Sequence, residues 1–285
     1  MSLQRLIILT LLSLLAFAAN SLLSRLALEQ TAIDEASFIA LRIGSGAIFL
    51  WLFLSFKNHK SRHKKTTVKQ GNWLAALFLF AYAVSFTYGY KLIAAGTGAL
   101  ILFGAVQVTM SVIGYRAGER LNIIQLSGFS LAILGLIILM VPGSSAPSLK
   151  GAILMCISGI AWSFFSHQGK GSTSPAADTA GNFIKAVPMV IALWLVNYSV
   201  ISLETNGVIY ALLSGVVTSG MGYILWYSVL PHLKSTQAAI VQLSVPVIVT
   251  IAGAILLNEV ITLRIIMAAS AILIGTLLVL KFKKD

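Results

Sequence analysis

Apolar residues fall along this chain in about ten blocks, separated by short polar breaks, at 4–27, 36–56, 72–91, 95–114, 122–141, 149–168, 179–202, 207–228, 235–257 and 262–281. Each block is close to the roughly 20 residues a helix needs to cross the hydrocarbon of a bilayer. The pattern predicts an all-α membrane protein with ten transmembrane helices. Spans of that number take up about 200 residues, so any function must be built from the helices themselves. At the start, Arg5, the run 6–15 and Ala16-Phe17-Ala18 resemble a secretory signal with a small-residue cleavage site. The apolar run continues past Leu22, Leu23, Leu26 and Leu28, however, and is long enough to span.

Composition agrees with this. The chain is 58% hydrophobic and only 10% charged, which leaves no room for a soluble domain. A net charge of +12 would suggest nucleic acid in a soluble protein. Here it is read by position, because basic residues near helix ends set orientation. Segment 57–70 carries Lys57, Lys60, Arg62, Lys64, Lys65 and Lys69 without an acid, and is expected to stay cytoplasmic. Ten spans then put both termini in the cytoplasm, fourteen cations on that side and four (Arg25, Lys91, Lys150 and Arg264) on the other. The expected location is a bacterial plasma (inner) membrane, with lipid and a small-molecule solute as partners and nucleic acid excluded; a homodimer stays open. Cys156 is the single cysteine, so no intrachain disulfide can form.

The chain also carries a weak internal repeat. Ala99 to Gly114 can be laid on Ala239 to Gly253 with one single-residue gap, and Glu119 to Gly135 and Glu259 to Gly275 have the same spacing. Upstream, Tyr90 sits on Tyr227, Ala16 on Ala161 and Asp34 on Asp178. Five spans separate the copies, so the second half is expected upside down relative to the first.

Two five-helix halves, an acid at a helix junction in each (Gly118-Glu119-Arg120-Leu121 and Asn258-Glu259-Val260) and the opening Phe17-Ala18-Ala19-Asn20-Ser21-Leu22-Leu23-Ser24-Arg25 resemble the ten-helix EamA-like branch of the drug/metabolite transporter superfamily. The resemblance covers essentially the whole chain. It implies two inverted five-helix repeats, 1–142 and 148–285, around a central cavity that opens alternately to either side.

Arg42 and Lys185 are the two cations inside spans. A charge there costs at least about 2.5 kcal/mol on insertion scales, and it usually faces the bundle interior and often a pathway. They lie eight and seven residues past Asp34 and Asp178, in the second helix of each half. Facing a cavity, they would attract anionic groups such as the carboxylate of an amino acid. Snorkelling to an interface or pairing with the nearby Asp is the alternative. No acid sits deep in any span, so a buried carboxylate for proton coupling has no candidate.

Tyr82, Tyr88, Tyr90, Trp162, Tyr223, Trp226 and Tyr227 suit a cavity wall, or else an interfacial belt. Asn20, Gln107 and Gln242 are amides on helices that the resemblance places around the cavity, and interhelical hydrogen bonding is the competing role. Pro188 and Pro246 interrupt the seventh and ninth spans as hinges or as static kinks. Glu119 and Glu259 fall at helix junctions, where a structural role is expected, and Asp34 and Asp178 are expected to cap the second and seventh spans.

The sequence contains no His-Glu-x-x-His, no Gly-x-Ser-x-Gly elbow, no metal cluster and no phosphate-binding loop. Neither an enzyme nor a cofactor is expected. The reading is a secondary transporter, an exporter of amino acids or other carboxylated metabolites. The alternatives are a transporter of neutral or cationic solutes and a structural or partner-binding membrane protein.

Overall fold

The computed structural model describes residues 1–60, 71–118, 122–140 and 146–281. Among them every regular element is helical: α1 (Leu3–Gln30), α2 (Glu35–Lys60), α3 (Trp73–Leu92), α4 (Ala95–Arg116), α5 (Ile123–Met140), α6 (Leu149–Gly169), α7 (Pro175–Val196), α8 (Thr205–Leu213), α9 (Gly222–Val229), α10 (Ser235–Val241), α11 (Ser244–Leu256) and α12 (Leu263–Lys281). A π-helical stretch, Ser214–Met221, joins α8 to α9. Eight rods are long and apolar enough to cross a membrane, with Thr205–His232 and Gln237–Leu256 each taken as one. Two shorter apolar helices, Ile123–Leu139 and Leu263–Gly275, complete the set. This is the make-up of a multi-pass α-helical membrane protein. Glu119, Arg120 and residues 61–70 of the basic segment lie outside the described residues.

Helix starts are set by side chains that take up first-turn N–H groups. Asn72 Oδ1 accepts from Ala75 N–H at 2.6 Å, Ser148 Oγ from Gly151 N–H at 3.0 Å and Asp34 Oδ1 from Ser37 N–H at 2.8 Å. Asp34 therefore caps α2 as expected. Asp178 does not cap α7, because Ser174 holds that position and Pro175 opens the helix, where its missing N–H costs nothing. Its carboxylate instead accepts from Gly71 N–H (3.1 Å) and from the Ser172 hydroxyl (2.5 Å). The seventh span is consequently shifted from 179–202 to Pro175–Val196 and ends where Asn197 Nδ2 donates to Leu193 O at 2.8 Å.

The two prolines act differently. α7 runs on through Pro188. The ninth block is broken at Gln242 and Leu243 into α10 and α11, and Pro246 lies in the first turn of α11, where no backbone donor is required.

The helices α2 and α7, α3 and α6, and α5 and α12 pack as close pairs. α1 lies against α8, α9 and α11, while α4 threads between α6, α10 and α11 and is buried along most of its length. Close approach is permitted by small residues. A Cβ on Gly159 would stand 2.3 Å from Leu102 O, which fixes how near α6 comes to α4.

Candidate functional site

Polar side chains from five segments meet in the middle of the bundle. Asn20 (α1) donates through Nδ2 to the Tyr82 hydroxyl (α3) at 3.1 Å, and its Oδ1 accepts from Ser214 Oγ at 2.7 Å and Thr218 Oγ1 at 3.1 Å. Arg42 (α2) donates through Nε to Ser219 Oγ at 3.1 Å and through Nη2 to the Tyr223 and Tyr82 hydroxyls at 2.9 and 3.5 Å. Ser214, Thr218 and Ser219 belong to the π-helical stretch. One wide turn redirects three hydroxyls toward α1 and α2, a use of π-bulges common at functional sites. Gly215 makes the approach possible, because a Cβ there would lie 2.2 Å from Arg42 O.

Arg42 is completely buried, and among the described residues no carboxylate forms an ion pair with it. The ion pairs among the described residues are those of Arg25 with Glu29 and Glu259. Its guanidinium carbon lies 5.4 Å from the Tyr82 ring centre and 5.0 Å from that of Phe86, within cation–π range. Nη1 has no hydrogen-bond partner.

Aromatic rings fill the space around this cluster. Trp162 (α6) sits 5.0 Å from Tyr82, 4.9 Å from Tyr223 and 5.1 Å from Phe17, centre to centre. Beyond it the chain of rings continues to Phe165 and Tyr227 at one end, and through Phe86 to Tyr90 at the other. Between Phe17, Ser21, Tyr82, Phe86, Phe103 and Trp162 a cavity of only about 10 Å³ remains. That is about the room one water needs, so the centre is closed. A larger apolar groove of about 380 Å³, lined by Ser111, Val112, Tyr115, Leu126 and Phe129, shares no residue with this cluster.

The two ends of the ring column differ. Beside Tyr227 lies a polar cleft of about 240 Å³ bordered by Asn72, Gln168, Ser172, Asp178 and Asn182. Beyond Tyr90 the bundle is tied shut. Arg25 donates to Glu259 Oε1 (3.3 Å), Glu29 Oε1 (2.9 Å) and Tyr90 O (2.8 Å), and Glu259 in turn accepts from Ala95 N–H (2.7 Å) and Gly96 N–H (3.4 Å) at the start of α4. Glu259 thus joins α1, α4 and the α11–α12 turn. Asn258, at φ +53°, turns the backbone to deliver it, and Gly253 leaves it room.

Of the residues singled out by sequence, Asn20, Arg42 and Tyr223 are brought together directly. Trp162 adjoins them and donates through Nε1 to Gln242 Oε1 at 2.6 Å, at the α10–α11 break. Gln107 is buried one turn beyond Phe103 on α4. Tyr227 lies at the polar cleft, donating to Phe165 O at 3.0 Å. Two stand apart. Tyr88 is two residues, about 200° of helix turn, from Phe86, and so does not share its face. Lys185 donates to Gly71 O at 2.7 Å, where the chain enters α3. The sequence reading missed Phe17, Phe86 and the hydroxyls of the π stretch; hydroxyls spaced by four and one in an apolar span (Ser214, Thr218, Ser219) were the available signal. No group of three or more His, Cys, Asp or Glu able to hold a metal stands together among the described residues.

The chain is similar to other proteins, in one case over nearly its full length. It is 48% identical over 277 residues to an uncharacterized protein of Pseudomonas aeruginosa, covering 97% of this chain and 95% of the relative. A probable amino-acid metabolite efflux pump of Salmonella typhimurium is 26% identical over 195 residues, 63% of this chain and 64% of the relative. A solved crystal structure superposes with a TM-score of 0.69, covering 98% of both chains at 13% identity, and so supports the fold. The pattern of the EamA-like transporter family matches residues 4–141 and 149–281. A helical membrane protein matched over both halves in this way belongs to the EamA-like transporter family.

Proposed function

We propose that this chain is a secondary exporter of small metabolites bearing a carboxylate, amino acids among them, and that it works by alternating access of two inverted five-helix repeats, 1–142 and 148–285. The observation that carries the cargo class is Arg42. A buried charge without an opposite partner is costly, yet this one is held in place by neutral hydroxyls and two ring faces, with Nη1 unpaired. A carboxylate arriving with the cargo supplies the missing charge. The Salmonella typhimurium relative, a probable amino-acid metabolite efflux pump, supports the same class.

Alternating access fits the closed centre with unlike ends. The Arg25–Glu259 network is the closed gate of this state, and the cleft beside Tyr227 is the side toward which the cargo path opens. The break ahead of Pro246 and the proline within α7 are the flexible points. The cation bias of the loops supports a cytoplasmic position for both termini and for the cleft side.

The test is a thermal-stability screen of the purified protein against amino acids, organic acids, sugars and organic cations, followed by transport in liposomes. A ligand that binds only the folded form raises its stability by mass action. Carboxylates are expected to stabilise the wild type, and Arg42→Gln is expected to lose that response and abolish transport while expressing normally. Full transport by Arg42→Gln removes the anchor.

A further inference from the structure

Among the described residues, six buried side-chain polar atoms lack a hydrogen-bond partner: Ser24 Oγ, Arg42 Nη1, Thr87 Oγ1, Tyr90 OH, Gln107 Oε1 and Thr250 Oγ1. Four are hydroxyls, which rotate and can both donate and accept; for Ser and Thr a carbonyl one turn back in their own helix is in reach. The other two have no such freedom. A guanidinium nitrogen only donates and an amide oxygen only accepts, so Arg42 Nη1 demands an acceptor and Gln107 Oε1 demands a donor.

The rest of the centre is mutually satisfied. Asn20 is bonded at both ends of its amide, as is Gln242, whose Oε1 accepts from Trp162 and whose Nε2 donates to Ala238 O at 2.8 Å. Gln107 uses only its Nε2, toward Ser111 Oγ at 3.5 Å. It is completely buried and stands one turn along α4 from the cavity wall. Phe103, one turn earlier on the same face of α4, lines the closed space, and Met110, three residues on, has its sulfur 3.7 Å from Gln242 Nε2, the amide that holds Trp162.

Building on the carboxylate reading above, we infer that Gln107 is a specificity-determining residue that accepts a hydrogen bond from a donor on the cargo, while Arg42 takes the carboxylate. The site therefore recognises molecules that combine an anion with a separate N–H or O–H donor, and it discriminates against plain carboxylic acids. That discrimination is strong in principle, because a ligand lacking the donor leaves a buried acceptor unpaired.

The probe is a panel of amino acids with the amine placed from the α to the ω position, each paired with its deaminated acid. Binding is measured calorimetrically on the full-length protein. At least one amino acid is expected to bind about tenfold or more tightly than its deaminated partner, with the ratio falling to about one in Gln107→Leu, which keeps volume but not the acceptor. Should Gln107→Leu fail to fold, Gln107→Asn, which withdraws the acceptor by one methylene, must lower the ratio. Equal binding of amino and deaminated acids by the wild type overturns the inference and leaves the carboxylate reading intact, as does a ratio unchanged in either variant. Preference for deaminated acids overturns it too, by turning the amide nitrogen toward the cargo. If no carboxylate of either kind binds, the carboxylate reading itself falls, and the role of Gln107 with it.

Discussion

Arg42 and Lys185 each carry a positive charge into the body of a helix, and their surroundings have little in common. Around Arg42 stand hydroxyls from α3, α9 and the π stretch and two ring faces, with no acid paired to it among the described residues. Lys185 reaches the backbone oxygen of Gly71 at the mouth of α3. A flexible ammonium finds a carbonyl near a helix end and stays there. A planar guanidinium held by several groups at once keeps one edge presented to whatever enters. Depth along a helix is therefore a poor guide to function, and the neighbours that fix a cation's direction are the better one.

The sharpest way to break the difference is to move those neighbours without touching the charge. Gly215→Val puts a side chain where even a Cβ would meet Arg42 O at 2.2 Å and Ser45 Oγ at 2.1 Å. Overpacking of this kind costs about 1–3 kcal/mol, and the rod carrying Ser219 and Tyr223 must retreat from α2. Transport is expected to fall as far as in Arg42→Gln, with a lower melting temperature in addition. A variant that loses stability but transports normally would show that the hydroxyls do not aim the guanidinium.

Arg25 extends the comparison to a third cation, one that does have acids. Arg25→Gln removes charge-assisted hydrogen bonds worth about 1.5–3 kcal/mol each when well formed; the Glu259 pair, with both side chains 13% exposed, is only partly screened, whereas Glu29 is 40% exposed and its pair contributes less. If this network holds the end shut, the variant loosens it. Ser24→Cys, introduced with Cys156→Ser, gives a buried reporter beside Arg25. Its maleimide labelling is expected to accelerate severalfold in Arg25→Gln. Glu259→Gln should act more mildly, because its amide oxygen still accepts from Ala95 N–H. Unchanged labelling in both would remove the network as a gate.

The sequence made the membrane class and nearly all spans legible because apolar block length is a one-dimensional signal that packing does not alter. Arg42 stood out for the same reason: a charge in an apolar run is visible without a fold. The π stretch was not visible, since one extra residue per turn leaves no mark on composition, and with it Ser214, Thr218 and Ser219 passed unnoticed. Phe17 and Phe86 were hidden among many apolar residues that differ only in the face they present. The start of α7 was misplaced because the small residues 175–178 read as loop, while Pro175 at the first helical position was the contrary signal.

The smallest expected effect is the most diagnostic for the comparison. Lys185→Met keeps the apolar stem and removes the donor to Gly71 O. If Lys185 serves only to tie the start of α3 to α7, the loss of its charge-assisted hydrogen bond to Gly71 O at a half-buried position is worth about 1.5 kcal/mol. The melting temperature then falls by a few degrees at most, and carboxylate affinity and transport stay within about twofold of wild type, a change of less than about 0.5 kcal/mol. A loss of anion affinity comparable to that of Arg42→Gln would instead make the two cations a working pair. The cargo would then pass the ammonium on its way between the polar cleft and the centre, and the distinction drawn from their neighbours would not survive.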